Sequence, residues 1–199
     1  MNDEPKVTDL SISDVHNRTV EYDGRFDYED WYETKTNLLP NLYPIATADT
    51  SIFILGAYGE DDGTLDRLEA AKSHLDEHIN GEVYFLTDVI DAWECWSTKF
   101  KIVASYSTHI VGVYEHSDGG HVWEAGYLDH QPYRDRTYIL KRDYPRPPKD
   151  EPFDAMFGHF MKSVKDTSNE RYYEWCLDDE TNAQHFDSAL DALVDNVSW

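Results

Sequence analysis

Basic residues are scarce in this chain: seventeen lysines and arginines stand against forty aspartates and glutamates among 199 residues, a formal charge of −23. The shortage argues against nucleic acid as a partner, because a phosphate backbone would be repelled over most of the surface. The acids are scattered through nearly every segment instead of forming one tail, so the surface repels itself at low ionic strength. Molar salt shortens the Debye length to roughly 3 Å, and the composition reads most economically as adaptation to a salt-rich cytoplasm. The alternative is an acidic protein of ordinary cytoplasm that meets a basic partner. Cysteine is nearly absent too. Cys95 and Cys176 each stand among aromatic residues, Trp93 and Trp96 for one and Tyr173 and Trp175 for the other, a buried setting that suits neither a framework disulfide nor a zinc site.

Long apolar runs are missing as well: nothing approaches the roughly 18 residues of a membrane span. The opening MNDEPKVTDL has neither the basic start nor the apolar stretch of a signal peptide. The expectation is a cytoplasmic protein without a membrane partner, in which the glycosylation patterns at Asn17 and Asn196 carry no meaning. Several catalytic signatures are lacking. No serine sits in a G-x-S-x-G elbow and neither cysteine has a local catalytic pattern, so acyl transfer is unsupported. The glycines of GAYGEDDGT (56–64) fit neither G-x-G-x-x-G nor G-x-x-x-x-G-K-[ST], which argues against a dinucleotide site or a P-loop.

What the chain does have is an alternation of short apolar runs with helical periodicity. Residues 1–49 read as an aromatic N-terminal extension (Tyr22, Phe26, Tyr28, Trp31, Tyr32), closed by Pro40 and Pro44. Residues 50–199 read as one α/β domain. Its expected elements are a strand over 52–56, a helix over 64–79, a strand over 82–86, a helix over 91–106 and a strand over 110–114. A helix opens near His121, a strand covers 137–140, and a helix spans 153–164 with Phe153, Met156, Phe157, Phe160 and Val164 on one face. An edge strand over 172–177 and a helix over 186–197 finish the chain. The alternation predicts a doubly wound, mostly parallel sheet of flavodoxin-like layout with four to five strands. Ligands of such sheets bind outside the carboxyl ends of the strands, here 56–63, 87–91 with Asp88, and 115–120.

The richest stretch is 110–128, IVGVYEHSDGGHVWEAGYL. A buried strand meets Gly119 and Gly120, which let a backbone approach a bound molecule, and Glu124 follows one helical turn later. A carboxylate near a helix N-terminus is held ionised, and suits chemistry at a sugar's anomeric carbon, where it can capture an oxocarbenium-like centre. Asp118 could hold a sugar hydroxyl or protonate the leaving group; alternatively it caps the helix while Glu124 merely complements the dipole. Tyr58 could stack on a base beside Gly56, or the loop could be a plain strand-to-helix turn capped by Asp62 or Thr64.

With FILGAYG matching a first strand that ends in a glycine and aromatic turn, and GGHVWEAGYL matching a glycine-rich turn before a Glu-x-Gly helix, residues 52–141 resemble the nucleoside 2-deoxyribosyltransferase-like superfamily. TIR-like and other nucleotide-processing domains are among the relatives of that group. The resemblance implies a nucleophile at Glu124, close helix-to-sheet packing at Gly126, a nucleoside or nucleotide ligand, and a homodimer that completes the cleft. His109 stands where the family often has an acid, and His121 where it commonly has a small hydroxyl residue, so both depart from the pattern.

Other histidines offer competing chemistry. His74-Leu75-Asp76-Glu77-His78 fits the inverted zinc protease pattern, but its histidines flank an apolar stripe and no third ligand is identifiable. His109, His116 and His121 are expected to cluster around the cleft, as structural residues or as a general acid or base. Trp93 and Trp96 fit the buried face of their helix, and Trp123 would pack beneath the site. Two functions follow: an enzyme of N-glycosidic bond cleavage or transfer, needing no metal or organic cofactor, or a non-catalytic nucleotide-sensing or interaction module. A third possibility is a purely structural protein with neither.

Overall fold

A computed structural model describes residues 11, 13–17, 32, 36, 38–58, 63–89, 96–116, 120–145, 155–177, 181 and 183–199. In chain order the elements are α1 (Leu39–Thr47), β1 (Ser51–Gly56), α2 (Thr64–His78), β2 (Glu82–Tyr84), α3 (Leu86–Val89), α4 (Trp96–Tyr106), β3 (His109–Tyr114) and α5 (Gly120–Leu128). Then come β4 (Thr137–Arg142), α6 (Ala155–Thr167), β5 (Tyr172–Cys176), β6 (Gln184–His185) and α7 (Phe186–Asn196). The strands form one sheet in the order β2-β1-β3-β4-β5-β6, and all neighbours run parallel. The flavodoxin-like α/β reading holds, with six strands in place of four or five. Tyr172–Cys176 is therefore an inner strand, because the two-residue β6 lies outside it.

β1 is buried at every position and β3 at all but its first, as expected of central parallel strands covered on both faces. Alternation along them builds two cores. Phe53, Leu55, Ile110, Tyr114 and Ile139 pack with Phe100 and Val103 of α4, Ala125 and Leu128 of α5, and Phe157, Phe160 and Val164 of α6. Ile52, Ile54, Val111, Val113, Leu140 and Trp175 pack against Leu68, Ala71 and Leu75 of α2 and Leu190 and Leu193 of α7. Leu38, Leu42 and Ile45 join the first core, so the end of the N-terminal segment is built into the domain. From β1 the chain crosses over one face to β2, then over the other face to β3. The topology therefore reverses between β1 and β3, and a crevice is expected outside their carboxyl ends.

Several expectations are corrected at the level of packing. Trp96 is 53 % exposed and Trp123 48 % exposed, so neither lies in the core. Met156 is 75 % exposed, because the inward stripe of α6 runs through 157, 160, 161 and 164, the spacing of one helix face. The second strand ends at Tyr84, and Leu86 already begins α3. Trp93 and Cys95 lie outside the described residues. Cys176 is buried, and its thiol lies 3.1 Å from the Ala183 carbonyl. No helix among the described residues is long and apolar enough to cross a membrane.

Candidate functional site

Register and alternation decide which side chains arrive at the β1/β3 rim. Gly56 at the end of β1 is level with Val113, and Tyr58 lies just beyond it. A Cβ on Gly56 would stand 2.6 Å from Leu68 Cδ2 and 2.8 Å from the Val113 carbonyl oxygen, so this glycine is required for α2 to pack on the strand. On β3, Tyr114 folds its ring back over Gly112: a Cβ at 112 would meet that ring at 2.3 Å. The Tyr114 hydroxyl is buried and has no hydrogen-bond partner among the described residues. Burial pushes this phenol up, and the charge of Glu124 adds to the rise.

Glu124 lies half-buried on the second turn of α5, close enough for its charge to act on Tyr58 and Tyr114. It makes no hydrogen bond or ion pair with any described residue. Burial pushes its carboxyl from 4.5 to about 7. The expectation that the helix N-terminus holds this group ionised is corrected, because that influence fades within the first turn whereas desolvation raises the carboxyl. Tyr58 is held up by burial first and then by the charges of Glu124 and Asp88, with a backbone hydrogen bond at Leu86 opposing. Its ring stands edge-on to Phe85 at 6.0 Å. Tyr58, Tyr114 and Glu124, contributed by the ends of β1 and β3 and by α5, thus form one electrostatic neighbourhood.

The other expected ligand residues are placed as follows. Asp88 accepts from the Phe85 amide at 2.8 Å, holding the start of α3, and forms an ion pair with Lys72. Gly120 is the exposed first residue of α5, and a Cβ there would meet nothing within 4 Å. His121 is buried against Tyr114 and Phe157, and its Nε2 donates to the His116 carbonyl at 2.7 Å. Asp118 and Gly119 lie outside the described residues. His109 is removed from the cluster: it opens β3 level with Ile52, at the opposite end of the sheet, beside Tyr138 and Trp199. Burial, then the Arg136 charge, lowers it to about 4. Gly126 is exposed with open space at its Cβ, so it does not mediate helix-to-sheet approach. Gly63 takes the N-cap position at φ +73°, Thr64 is the buried first residue of the helix, and Asp62 lies outside the described residues. His74 and His78 stack at 4.3 Å on α2, with His74 3.2 Å from Asp191. Among the described residues no group of three His, Cys, Asp or Glu side chains is disposed to hold a metal ion.

Sequence reasoning missed a second group at the same rim. Extending the β3–β4 register by one row sets Glu115 beside Arg142, which is already paired with Trp175 of β5, on the face that bears Val113, Leu140 and Tyr173. α2 covers that face and brings in Arg67. Arg67 Nε donates to Glu115 Oε1 at 2.6 Å and Nη2 to Oε2 at 2.7 Å, while Arg142 Nη1 reaches Oε2 at 3.4 Å. Glu115 is 3 % exposed. Both guanidinium groups lie over the Trp175 ring, at 5.8 and 5.9 Å, and Arg142 also lies over Tyr144 at 4.5 Å. The signal available was an acid directly after the apolar run of β3 and a base one turn into the helix that follows β1.

Residues 12–192 match the model of a family described as "Family of unknown function (DUF8170)". No curated protein and no solved structure matches the chain.

Proposed function

The chain belongs to this family of unknown function, so membership brings no activity with it, and we propose from the site itself that the protein cleaves or transfers the N-glycosidic bond of a nucleoside or nucleotide. One observation carries the reading: Glu124 is a largely buried carboxyl at the β1/β3 rim, bound to no described residue, beside the phenols of Tyr58 and Tyr114. A carboxylate in that state is stabilised by positive charge developing at C1′ of a bound sugar. It attacks C1′, the C1′–N bond breaks, and the bonding pair leaves with the base, which takes up a proton. Water then attacks C1′ of the glycosyl ester, giving free sugar and the regenerated carboxylate; a second base in place of water gives transfer. Tyr58, with Gly56, lines the base side, and the reading gives Asp118 the sugar hydroxyls.

Attack needs the ionised form, so kcat/KM rises with pH through about 7 and levels above it. The reading takes the protein as a cytoplasmic enzyme working in high salt. The test is therefore incubation in molar KCl with nucleosides, deoxynucleotides and NAD, followed by chromatography for free base. Base release that disappears in Glu124→Gln is expected; a folded wild-type protein that releases base from none of them overturns the proposal.

A binding-only module of TIR-like type, with Glu124 holding ribose hydroxyls, is favoured by a different observation. Asp88, the other described acid beside Tyr58, is already tied to Lys72 and the Phe85 amide and is not disposed as a proton donor. Ligand-induced melting shifts without base release would select that reading.

A further inference from the structure

Tyr114 carries an oxygen that its packing does not need. It is the last residue of β3 and buried, and its hydroxyl has no hydrogen-bond partner among the described residues. A buried hydroxyl left unbonded forfeits the hydrogen bonds it makes in water, and folded proteins rarely carry one without a use for it. Phenylalanine would fill the same space without that cost. The half-buried carboxyl of Glu124 is likewise joined to no described residue by a hydrogen bond or ion pair.

The direction of the Tyr114 ring decides where its oxygen lies. The ring folds back along the strand, so that a Cβ on Gly112 would stand 2.5 Å from the hydroxyl oxygen. Two residues of strand amount to a descent of roughly 6 to 7 Å from the rim. α5 connects β3 to the parallel β4 and packs on the face that bears Tyr114, so it too descends from that rim. His121 in its first turn stacks on the Tyr114 ring at 5.9 Å. Three residues on, about 4.5 Å lower, the helix reaches Glu124, next to the buried Ala125. Ring and helix go down together, and the hydroxyl arrives at the level of the carboxyl.

The surroundings of the pair are mixed. His116 stands edge-on to His121 at 5.4 Å, Phe157 of α6 edge-on to Tyr114 at 4.8 Å, and Tyr58 beyond β1 feels both Glu124 and Asp88 of α3. On α4, Lys99 lies over the Trp96 ring and Lys101 over the Trp123 ring. Burial and the charge of Glu124 keep the Tyr114 phenol protonated well above neutrality, so it is a lasting donor. A donor that bonds the charged form of a carboxyl favours that form, and so offsets part of the desolvation that raises Glu124.

We propose that Tyr114 is a positioning residue for Glu124: its hydroxyl donates to the carboxylate, directly or through one water, and holds the reactive form in place. The inference rests on the N-glycosidic reading only for what Glu124 then does. Its first test needs no substrate. In the full chain in molar KCl, with tyrosine labelled by carbon-13 at Cζ, the Tyr114 resonance is assigned by its contacts to His121 and Phe157. It should shift in one step with the titration of Glu124, and the step should vanish in Glu124→Gln. A resonance that does not move overturns the proposal, and so does a step that persists in Glu124→Gln, which would belong to His121. Tyr114→Phe keeps the ring over Gly112 and should raise the Glu124 midpoint by about one pH unit, lowering kcat/KM roughly tenfold on the acid limb and far less at high pH. The same rise is read from urea unfolding, as the pH at which Tyr114→Phe and the double variant with Glu124→Gln part in stability. A loss of rate or stability that does not depend on pH is what a merely structural hydroxyl would give, and overturns the proposal. Base release with the same pH profile in Tyr114→Phe as in the wild-type protein refutes the positioning role and leaves the glycosidic reading standing. The shared titration with no base released from any substrate does the reverse.

Discussion

The burial of Glu124 should be measurable as a pH-dependent cost to folding. Its carboxyl moves from 4.5 in the open chain to about 7 in the folded protein. Each pH unit of that rise is worth about 1.4 kcal/mol, so the ionised carboxylate destabilises the fold by about 3 kcal/mol. Between pH 4.5 and about 7 the folded protein holds this proton more tightly than the unfolded chain, so the group's effect on stability worsens as pH rises through that window and is constant above it. Glu124→Gln removes the titration while keeping the shape. The variant should match the wild-type protein near pH 5 and exceed it by up to about 3 kcal/mol at pH 8.5, roughly 6 to 12 °C in Tm for a chain of this size. Urea unfolding followed by circular dichroism, at constant KCl and half-unit pH steps, gives the comparison directly, and the other titrating groups cancel between the two proteins. A difference that does not change with pH, or a variant less stable at pH 8.5, refutes the assignment of burial as the cause. Stability gained together with activity lost is the signature expected of a reactive group held where folding alone would not keep it.

Glu115→Gln leaves two guanidinium groups facing a neutral amide in a nearly dry position, and should cost roughly 3 to 5 kcal/mol in the same unfolding assay. Gly56→Ala drives a methyl into Leu68 and the Val113 carbonyl and should cost about 1 to 3 kcal/mol, whereas Gly126→Ala meets open space in a helix and should gain up to about 1 kcal/mol. The opposite ranking would refute the packing described at β1. His109 should titrate near 4 in an NMR pH series, its neutral form supporting the fold above pH 6.5 and that support fading as pH falls towards 4. A midpoint close to 6.5 would contradict its burial beside Arg136.

The architecture was legible because its signals are local and periodic. Apolar runs such as IFIL and IVGVY, separated by stretches of helical spacing, are enough to imply strand, crossover and parallel sheet, and Glu124 with Tyr58 follows from knowing where such a sheet opens. What escaped depended on exact strand ends and on which element covers which face. Ending the fourth strand at Leu140 hid Arg142, which lies one register row beyond Lys141 and thereby beside Glu115. His109 was misassigned because proximity to β3 in sequence does not say which end of the strand a residue occupies; the register with Ile52 does. Trp96 and Trp123 show a limit of another kind. Aromatic rings can lie on a surface when neighbours such as Lys99, Lys101 and Tyr127 cover one side of each, and a count of tryptophans does not reveal that.

The sheet tapers at both margins, to three residues in β2 and two in β6, and β6 consists of an exposed glutamine and histidine. A neighbouring molecule that tried to prolong the ladder would find, among the described residues, only these short stretches of edge backbone to grip. Fibre-like stacking is thus starved of a template even when salt screens the mutual repulsion of so acidic a chain. Among the described residues, what is left for association between copies is the side chains presented by the helical layers.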